Sequence, residues 1–275
     1  MEALIAMETK QWPLELFNKS VLKQEKYRAI VDLLGPTASL RCLDLGGDNG
    51  VISALLRARG GHWSSVDLES GTVASIRELV ETEVYQIDGR TLPFPDRLFD
   101  RVVIIDLLEH VADDAALVAE LARVMKPDGL LVVNVPHAKD ELLRKLRNRL
   151  GQTDEQHGHL RPGYTAESLE RVLRPCFEME TSRLYSGFFT ELMDTMIVFG
   201  MSRLQSRRGK ADPSKKGLVV TGQDMKQYRT AFKIFSVLYP FFRAAALLDS
   251  VLRIGSGYKL VARAHLRPVG QEGET

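Results

Sequence analysis

The sequence predicts an α/β fold in which a mostly parallel sheet carries helices on both faces. Three observations point there. Arg41-Cys42-Leu43-Asp44-Leu45 reads as an apolar strand that ends in the acidic, glycine-dense turn Gly46-Gly47-Asp48-Asn49-Gly50 and feeds the helical pattern Val51-Ile52-Ser53-Ala54-Leu55-Leu56. Two further strands, His62 to Asp67 and Val84 to Ile87, each lead into an acid, Asp67 and Asp88. Arg101-Val102-Val103-Ile104-Ile105-Asp106 is a nearly continuous apolar run rich in β-branched residues, as expected of a strand covered on both faces.

The elements follow in order. Leu14 to Leu34 shows helical spacing, with Tyr27, Ile30, Val31 and Leu34 as the apolar stripe and Lys23, Lys26 and Arg28 on the polar side; a solvated face is the expectation for any one of them, with a cation that meets the methionine carboxylate of a cofactor as the alternative. Gly35-Pro36-Thr37 breaks the chain before the first strand. At the turn after that strand, glycines 46, 47 and 50 reach positive φ and approach a ligand without a Cβ in the way, while the next helix aims free N–H groups at the same spot. A dinucleotide would need Gly-x-Gly-x-x-Gly, yet counting from Gly46 the second and third glycines are Asp48 and Val51, and a carboxylate there repels a diphosphate. Asp44, Asp48, Asp67 and Asp88 instead make the site negative, which suits a ligand carrying a sulfonium and an ammonium, such as S-adenosylmethionine (SAM). Asp67 stands roughly twenty residues beyond the turn, placed to accept hydrogen bonds from ribose hydroxyls.

Asp44-Leu45-Gly46-Gly47-Asp48-Asn49-Gly50 resembles the first motif of the class I SAM-dependent methyltransferases, with Asp48 replacing the middle glycine. The series continues with Leu92-Pro93-Phe94, Phe99-Asp100-Arg101-Val102-Val103, Leu108-Glu109-His110-Val111 and Lys126-Pro127-Asp128-Gly129, so the chain is identified over residues 40 to 137 as similar to the type 11 methyltransferases and distantly to ubiquinone-pathway O-methyltransferases. The resemblance implies a Rossmann-like, seven-stranded sheet, mostly parallel with the last strand antiparallel, helices on both faces, and SAM as cofactor with S-adenosylhomocysteine as product. It puts the adenine amino group at Asp88 and Gly89. The implied cofactor residues are Asp44, Gly46, Gly47, Gly50, Asp67, Leu68, Asp88, Gly89, Asp106 and Leu107. For Asp44 two roles stay open, a structural acceptor that holds the turn or a ligand contact; Asp106 either lines the methionine end or orients its loop.

Helix Asp114 to Met125 stops at the Lys126 to Gly129 turn, and Leu130 to Pro136 is the fifth strand. A basic helix over Asp140 to Leu150 precedes a loop, Thr153 to Thr165, dense in usable side chains: His157, His159, Arg161 and Tyr164. The loop follows the fifth strand on the edge where open α/β sheets bind ligands. His157, His159 and Tyr164 are therefore the catalytic candidates, a histidine taking the proton from a hydroxyl as its oxygen attacks the methyl carbon. Alternate residues in an extended loop point opposite ways, so one of the two histidines is expected to face the site and the other to hold the loop. Thr165 is an N-cap for the helix Ala166 to Leu173. Asp106, Glu109 and His110 resemble the acid and histidine stretch that holds a divalent cation in ubiquinone-pathway enzymes; a metal is not the favoured reading, because Leu-Glu-His-Val also ends a strand and starts a helix in methyltransferases without one.

Phe177 to Tyr185 is the sixth strand and Tyr258 to Leu266 the seventh, both alternating. About seventy residues intervene, too many for a plain loop, so they form a structured helical insertion between strands 6 and 7. Its two apolar faces, Phe188 to Met201 and Phe232 to Leu252, are joined by Arg203, Arg207, Arg208, Lys210, Lys215 and Lys216 with only Asp212 opposing. Three roles stay open: a lid over an apolar acceptor tunnel, a peripheral contact with anionic membrane, or a homodimer contact. Pro240, Arg243 and Asp249 argue against a spanning helix. The division expected is a helical cap over 1–39, a SAM-binding core over 40–187, the insertion over 188–256 and the last strand and tail over 257–275.

Composition limits the function classes. With 37 Lys and Arg against 36 Asp and Glu in 275 residues, no basic field announces nucleic acid. Adenine methylation of DNA or RNA is disfavoured because Asp106-Leu107-Leu108-Glu109 replaces the Asn/Asp-Pro-Pro-Tyr needed to hold a flipped base. Cys42 and Cys176 suggest neither a disulfide framework nor zinc. The start, Met1 to Glu8, lacks a basic n-region, so the expected location is the cytoplasm, with the inner membrane face as a peripheral site. The expected activity is methyl transfer to a small, hydrophobic acceptor, a lipid or quinol, preferably at oxygen; the alternatives are a SAM-binding protein without catalysis and an NAD-dependent oxidoreductase.

Overall fold

The computed structural model describes residues 13–47, 49–138, 142–150, 158–207, 225–252 and 257–267. Seven strands form one sheet: β1 (Arg41–Leu45), β2 (His62–Asp67), β3 (Val84–Gln86), β4 (Phe99–Ile105), β5 (Met125–Pro136), β6 (Phe177–Tyr185) and β7 (Lys259–Leu266), in the order β3-β2-β1-β4-β5-β7-β6. The pairs β1/β2, β1/β4, β2/β3 and β4/β5 are parallel, and β7 runs antiparallel to both β5 and β6. The strand order turns outward in both directions from β1 and β4, which opens a crevice at their carboxyl ends, the place where such sheets take ligands.

The central strands are apolar throughout because both faces are covered. On β4, Val102 and Ile104 join one core cluster while Val103 and Ile105 join another, and β5 divides Leu131, Val133 and Val135 from Leu130 and Val132 in the same way. The first face is closed by α4 (Asp114–Val124) and α6 (Ala166–Leu173), through Leu117, Leu121, Leu169 and Leu173. The second is closed by α1 (Val21–Leu34) and α2 (Val51–Arg57), through Ile30, Leu34, Ile52 and Leu56. α3 (Ser70–Val80) covers β2 and β3 through Val73 and Ile76, and α5 is Leu142–Arg149.

Two boundaries differ from expectation. The helix expected from Leu14 does not run unbroken to Leu34: α1 starts at Val21, where Ser20 takes the N-cap position and its hydroxyl accepts from the Lys23 N–H at 3.3 Å. Lys126 to Gly129 is not a turn ahead of the fifth strand but lies inside β5. Phe99 pairs with Met125 and Arg101 with Leu130, so the four residues bulge from the ladder, and the Lys126 ammonium reaches Asp100 at 2.7 Å. At α6 Thr165 takes the N-cap position expected from sequence, and the Ser168 side chain completes a reciprocal cap.

Between β6 and β7 the chain forms α7 (Phe188–Arg207) and α8 (Met225–Leu252). The Asp249 carboxylate, near the end of α8, accepts from the N–H groups of Phe189 and Thr190 at 2.8 and 2.9 Å and from the Thr190 hydroxyl at 2.7 Å. It thereby satisfies orphan donors at the start of α7 and pins the end of α8 beside it. Gly187 is required there, since a Cβ would lie 2.1 Å from the Asp249 Cγ.

Candidate functional site

The carboxyl ends of β1, β2 and β3 carry the first half of the site. Gly46 has φ +86°, and a Cβ on it would stand 2.1 Å from the Ile105 carbonyl oxygen and 2.9 Å from the Leu107 Cβ. The turn therefore needs glycine because it packs flat on the end of β4, with Leu107 buried beneath it. Gly47 does not take the positive φ expected of it, but a Cβ there would stand 2.6 Å from the Ser53 hydroxyl oxygen; Gly50 caps α2 in the left-handed region. Asp44 is fully buried and accepts from the hydroxyls of Ser53 (2.6 Å) and Ser65 (2.7 Å) and from the Arg57 guanidinium (3.4 Å). Burial raises its pKa, with Arg57 and the two serines opposing. Of its two open roles the described bonds are those of the structural one: Asp44 ties β1 to α2 and β2. Asp48 and His157 lie outside the described residues.

Asp67 ends β2, 8% exposed, and accepts from the Glu69 N–H at 3.0 Å. Asp88 is exposed and accepts from the N–H groups of Arg90 and Thr91, both at 2.8 Å, which hold its carboxyl below the usual carboxylate range. Beside Asp67 opens a slot lined by Leu68, Ile87, Val111 and Leu160 together with Asp88, Gln86 and His110. Apolar walls and a carboxylate acceptor fit a flat heterocycle with an exocyclic amine.

The second half lies beyond β4 and β5. Asp106 adopts φ +45°, a strained conformation for a non-glycine residue, held by an ion pair with Lys26 of α1, by Lys259 of β7 at 3.3 Å and by the Asn134 amide at 3.2 Å. Burial raises its pKa, but the two lysines outweigh it and keep the carboxyl well below its ordinary range. Lys26 thus departs from the solvated face expected of it. The metal triad suggested by resemblance also changes membership. Asp106 turns to the lysines, and the donor atoms of Glu109, His110 and His159 lie within 4.8 Å of one another, a set with the chemistry to hold a divalent cation.

Glu109, His110 and His159 belong to the wall of a cavity of about 380 Å³ that also touches Asp106, Lys26 and His137. The rings of His110 and His159 meet edge-on with centroids 4.8 Å apart. The His110 Nδ1 lies 2.8 Å from the Gly158 carbonyl and the His137 Nδ1 lies 3.0 Å from the Gly257 carbonyl. A carbonyl only accepts, so both rings carry their proton on Nδ1 when neutral and their Nε2 atoms are the basic nitrogens. His110 is shared by the slot and the cavity.

Tyr164 is corrected. It is 3% exposed, its hydroxyl contacts Asp114 (2.8 Å), the Leu108 carbonyl (3.3 Å) and Arg161 (2.8 Å), and burial pushes its pKa up to about 12. Arg161 binds Asp114 and the carbonyls of Val111 and Ala112. Both residues fasten the loop to α4 and present no reactive group to the cavity. Sequence reading missed the roles of Lys259 and His137 and, for Lys26, its pairing with Asp106. His137 had a usable signal, since it directly follows β5 at the ligand edge; nothing in the sequence pairs Lys26 with Asp106.

The insertion also departs from expectation. α7 turns charge toward the cavity, not its phenylalanines: Glu191 accepts from Arg147 at 2.7 Å and from Ser186 at 2.6 Å, and Asp194 is pushed up to about 6 by burial and by Glu191. Among the described residues, α7 contributes Glu191, Asp194 and Thr195 to the cavity wall.

Residues 43–133 match the family model described as a methyltransferase domain. The chain is 32% identical over 105 residues to a ubiquinone biosynthesis O-methyltransferase of Xylella fastidiosa, covering 36% of this chain and 43% of that one. It is 28% identical over 109 residues to a demethylmenaquinone methyltransferase of Tropheryma whipplei, covering 38% and 46%. The match thus spans less than half the length of these relatives. Among solved structures, the [4+2]-cyclase SpnF superposes with a TM-score of 0.56 at 17% identity, over 90% of this chain and 82% of that one, a likeness of fold. The resemblance to class I methyltransferases and their seven-stranded Rossmann-like fold therefore stands.

Proposed function

We propose that this chain, with its methyltransferase domain over residues 43–133, is a SAM-dependent methyltransferase acting on a small hydroxylated acceptor. The observation that carries the proposal is the junction of two sites: an apolar slot that Asp88 helps to line beside the strand-end Asp67, and a charged cavity, sharing the His110 ring. Asp67 would take the ribose hydroxyls, Leu68, Asp88 and Gly89 the adenine, and the Gly46-Gly47 turn would leave room beside Asp106 and Lys26 for the methionine end. When bound, SAM supplies an electrophilic methyl on a sulfonium.

His159 is the proposed general base. With SAM bound, the hydroxyl proton would pass to the His159 imidazole as the acceptor oxygen bonded to the methyl carbon and the carbon–sulfur electron pair went to sulfur, which would leave the methyl ether and S-adenosylhomocysteine. Alignment of oxygen, carbon and sulfur by the cavity walls contributes a large share of the acceleration. The named relatives act in quinone biosynthesis, and a polar cavity with basic nitrogens suits the hydroxylated ring of such a molecule, not its apolar tail. The test is S-adenosylhomocysteine formation from SAM over a panel of hydroxylated aromatic acceptors, with wild type and His159→Ala. Turnover lost in the variant supports the proposal. Tight SAM binding with no turnover on any acceptor favours the second reading, a SAM-binding protein without methyl transfer.

A further inference from the structure

The second half of α8 turns an apolar stripe to the outside. Val237, Phe241, Leu248 and Val251 follow one another at steps of four, seven and three residues, which keeps them on one face of a helix. They are 68%, 60%, 47% and 77% exposed, and Leu247 and Leu252 extend the strip at 67% and 53%, while Phe242 and Ala245, turned away from its centre, are buried. Six such side chains, at about 100 Å² each, make a patch on the order of 600 Å², the upper end of what a monomer leaves in water.

Its charge and size indicate what covers it. Among the exposed residues between 237 and 252 the single ionisable one is Arg243, and none is acidic. Arg243 and Leu247 share a groove with Arg28 and Glu25 of α1, where burial pushes the Glu25 carboxyl up to about 7 and so lessens its charge, and the Lys19 ammonium sits 5.2 Å from the centroid of the Tyr239 ring. An apolar strip flanked by Lys19, Arg28 and Arg243 matches the boundary of an anionic bilayer, where the apolar side chains enter the acyl edge and the cations meet phosphates. A second copy fits less well: a stable interface takes about 800 Å² from each partner, and a two-fold contact would bring the two Arg243 side chains to one interface. Among the described residues no helix is long and apolar enough to cross a membrane.

We infer that this face of α8 is a docking surface for an anionic lipid membrane, independently of the reaction proposed above. The test is flotation of the full chain with vesicles of phosphatidylcholine alone or mixed equally with phosphatidylglycerol, at about 0.1 M and 0.5 M salt. The wild type should float with the anionic vesicles, weaken at the higher salt, and float at least tenfold less when Phe241→Ser, Leu248→Ser and Val251→Ser are combined. Unchanged circular dichroism serves as the control for folding. Arg243→Glu, which alters no apolar contact, should weaken anionic-vesicle binding severalfold if the triple variant does not fold. Failure of the wild type to float, or equal flotation of the variants, overturns the inference, and so does a wild-type dimer that the substitutions split while vesicles remain unbound.

Discussion

At the ends of β2 and β3, each acid is held by its own neighbours: Asp67 by the N–H of Glu69, Asp88 by those of Arg90 and Thr91. In the insertion the acids are held from afar: Glu191 by Arg147, 44 residues earlier, and Asp249 by the start of α7, 60 residues earlier. The difference teaches where chemistry can be read locally. A strand-end acid in a tight turn has its position set within a few residues, so a short motif reports it. A helix face gains its meaning from whatever packs against it.

That contrast can be broken in several places, taken here from the largest expected effect. His159→Ala should lower kcat by about 10²- to 10⁴-fold, the usual range for a general base, with SAM affinity nearly unchanged. Full activity on the true acceptor would assign His159 to the loop alone and turn attention to His137. Asp67→Ala should weaken SAM binding by about 100-fold, as two charge-assisted hydrogen bonds are lost; a calorimetric Kd within threefold of wild type would contradict the ribose assignment.

The insertion offers a pH test. Glu25 of α1 is pushed up to about 7, chiefly by burial and then by Glu191, with Arg28 opposing, and Asp194 is raised to about 6. A raised carboxyl binds its proton more tightly in the folded state, so stability is greatest below the ordinary glutamate range and falls as pH rises toward the folded value. Unfolding in urea should lose on the order of 1–2 kcal/mol between about pH 5 and 7.5, after allowance for Glu25 being partly exposed, and Glu25→Gln should flatten that slope. Identical profiles for the two proteins would remove Glu25 from the account. The smallest effect belongs to Tyr164→Phe: a loss of about 1 kcal/mol in stability, with turnover close to wild type. A collapse of turnover without loss of stability would return Tyr164 to the reaction.

Most of the sheet was legible because its residues carry two signals at once. Val102 to Ile105 is apolar on both faces, which only a covered parallel strand explains, and the acids Asp67 and Asp88 mark where strands stop. Asp44 was ambiguous because a buried acceptor and a ligand contact demand the same residue; only the hydroxyls of Ser53 and Ser65 show the first of these roles. Tyr164 misled because a loop tyrosine at the ligand edge looks reactive until Asp114, 50 residues away, takes its hydroxyl. The charge on α7 was hidden for a related reason. The phenylalanines and methionines dominate its composition, yet Glu191, Asp194 and Thr195 are the residues that meet the cavity.

The central claim, that the slot at Asp67 and Asp88 is built for SAM, is tested most directly by titrating the protein calorimetrically with SAM, S-adenosylhomocysteine and NAD, beside Asp67→Ala. The account predicts micromolar binding of the first two, lost in the variant, and no heat from NAD. Binding of NAD alone, or SAM binding indifferent to Asp67, would contradict it.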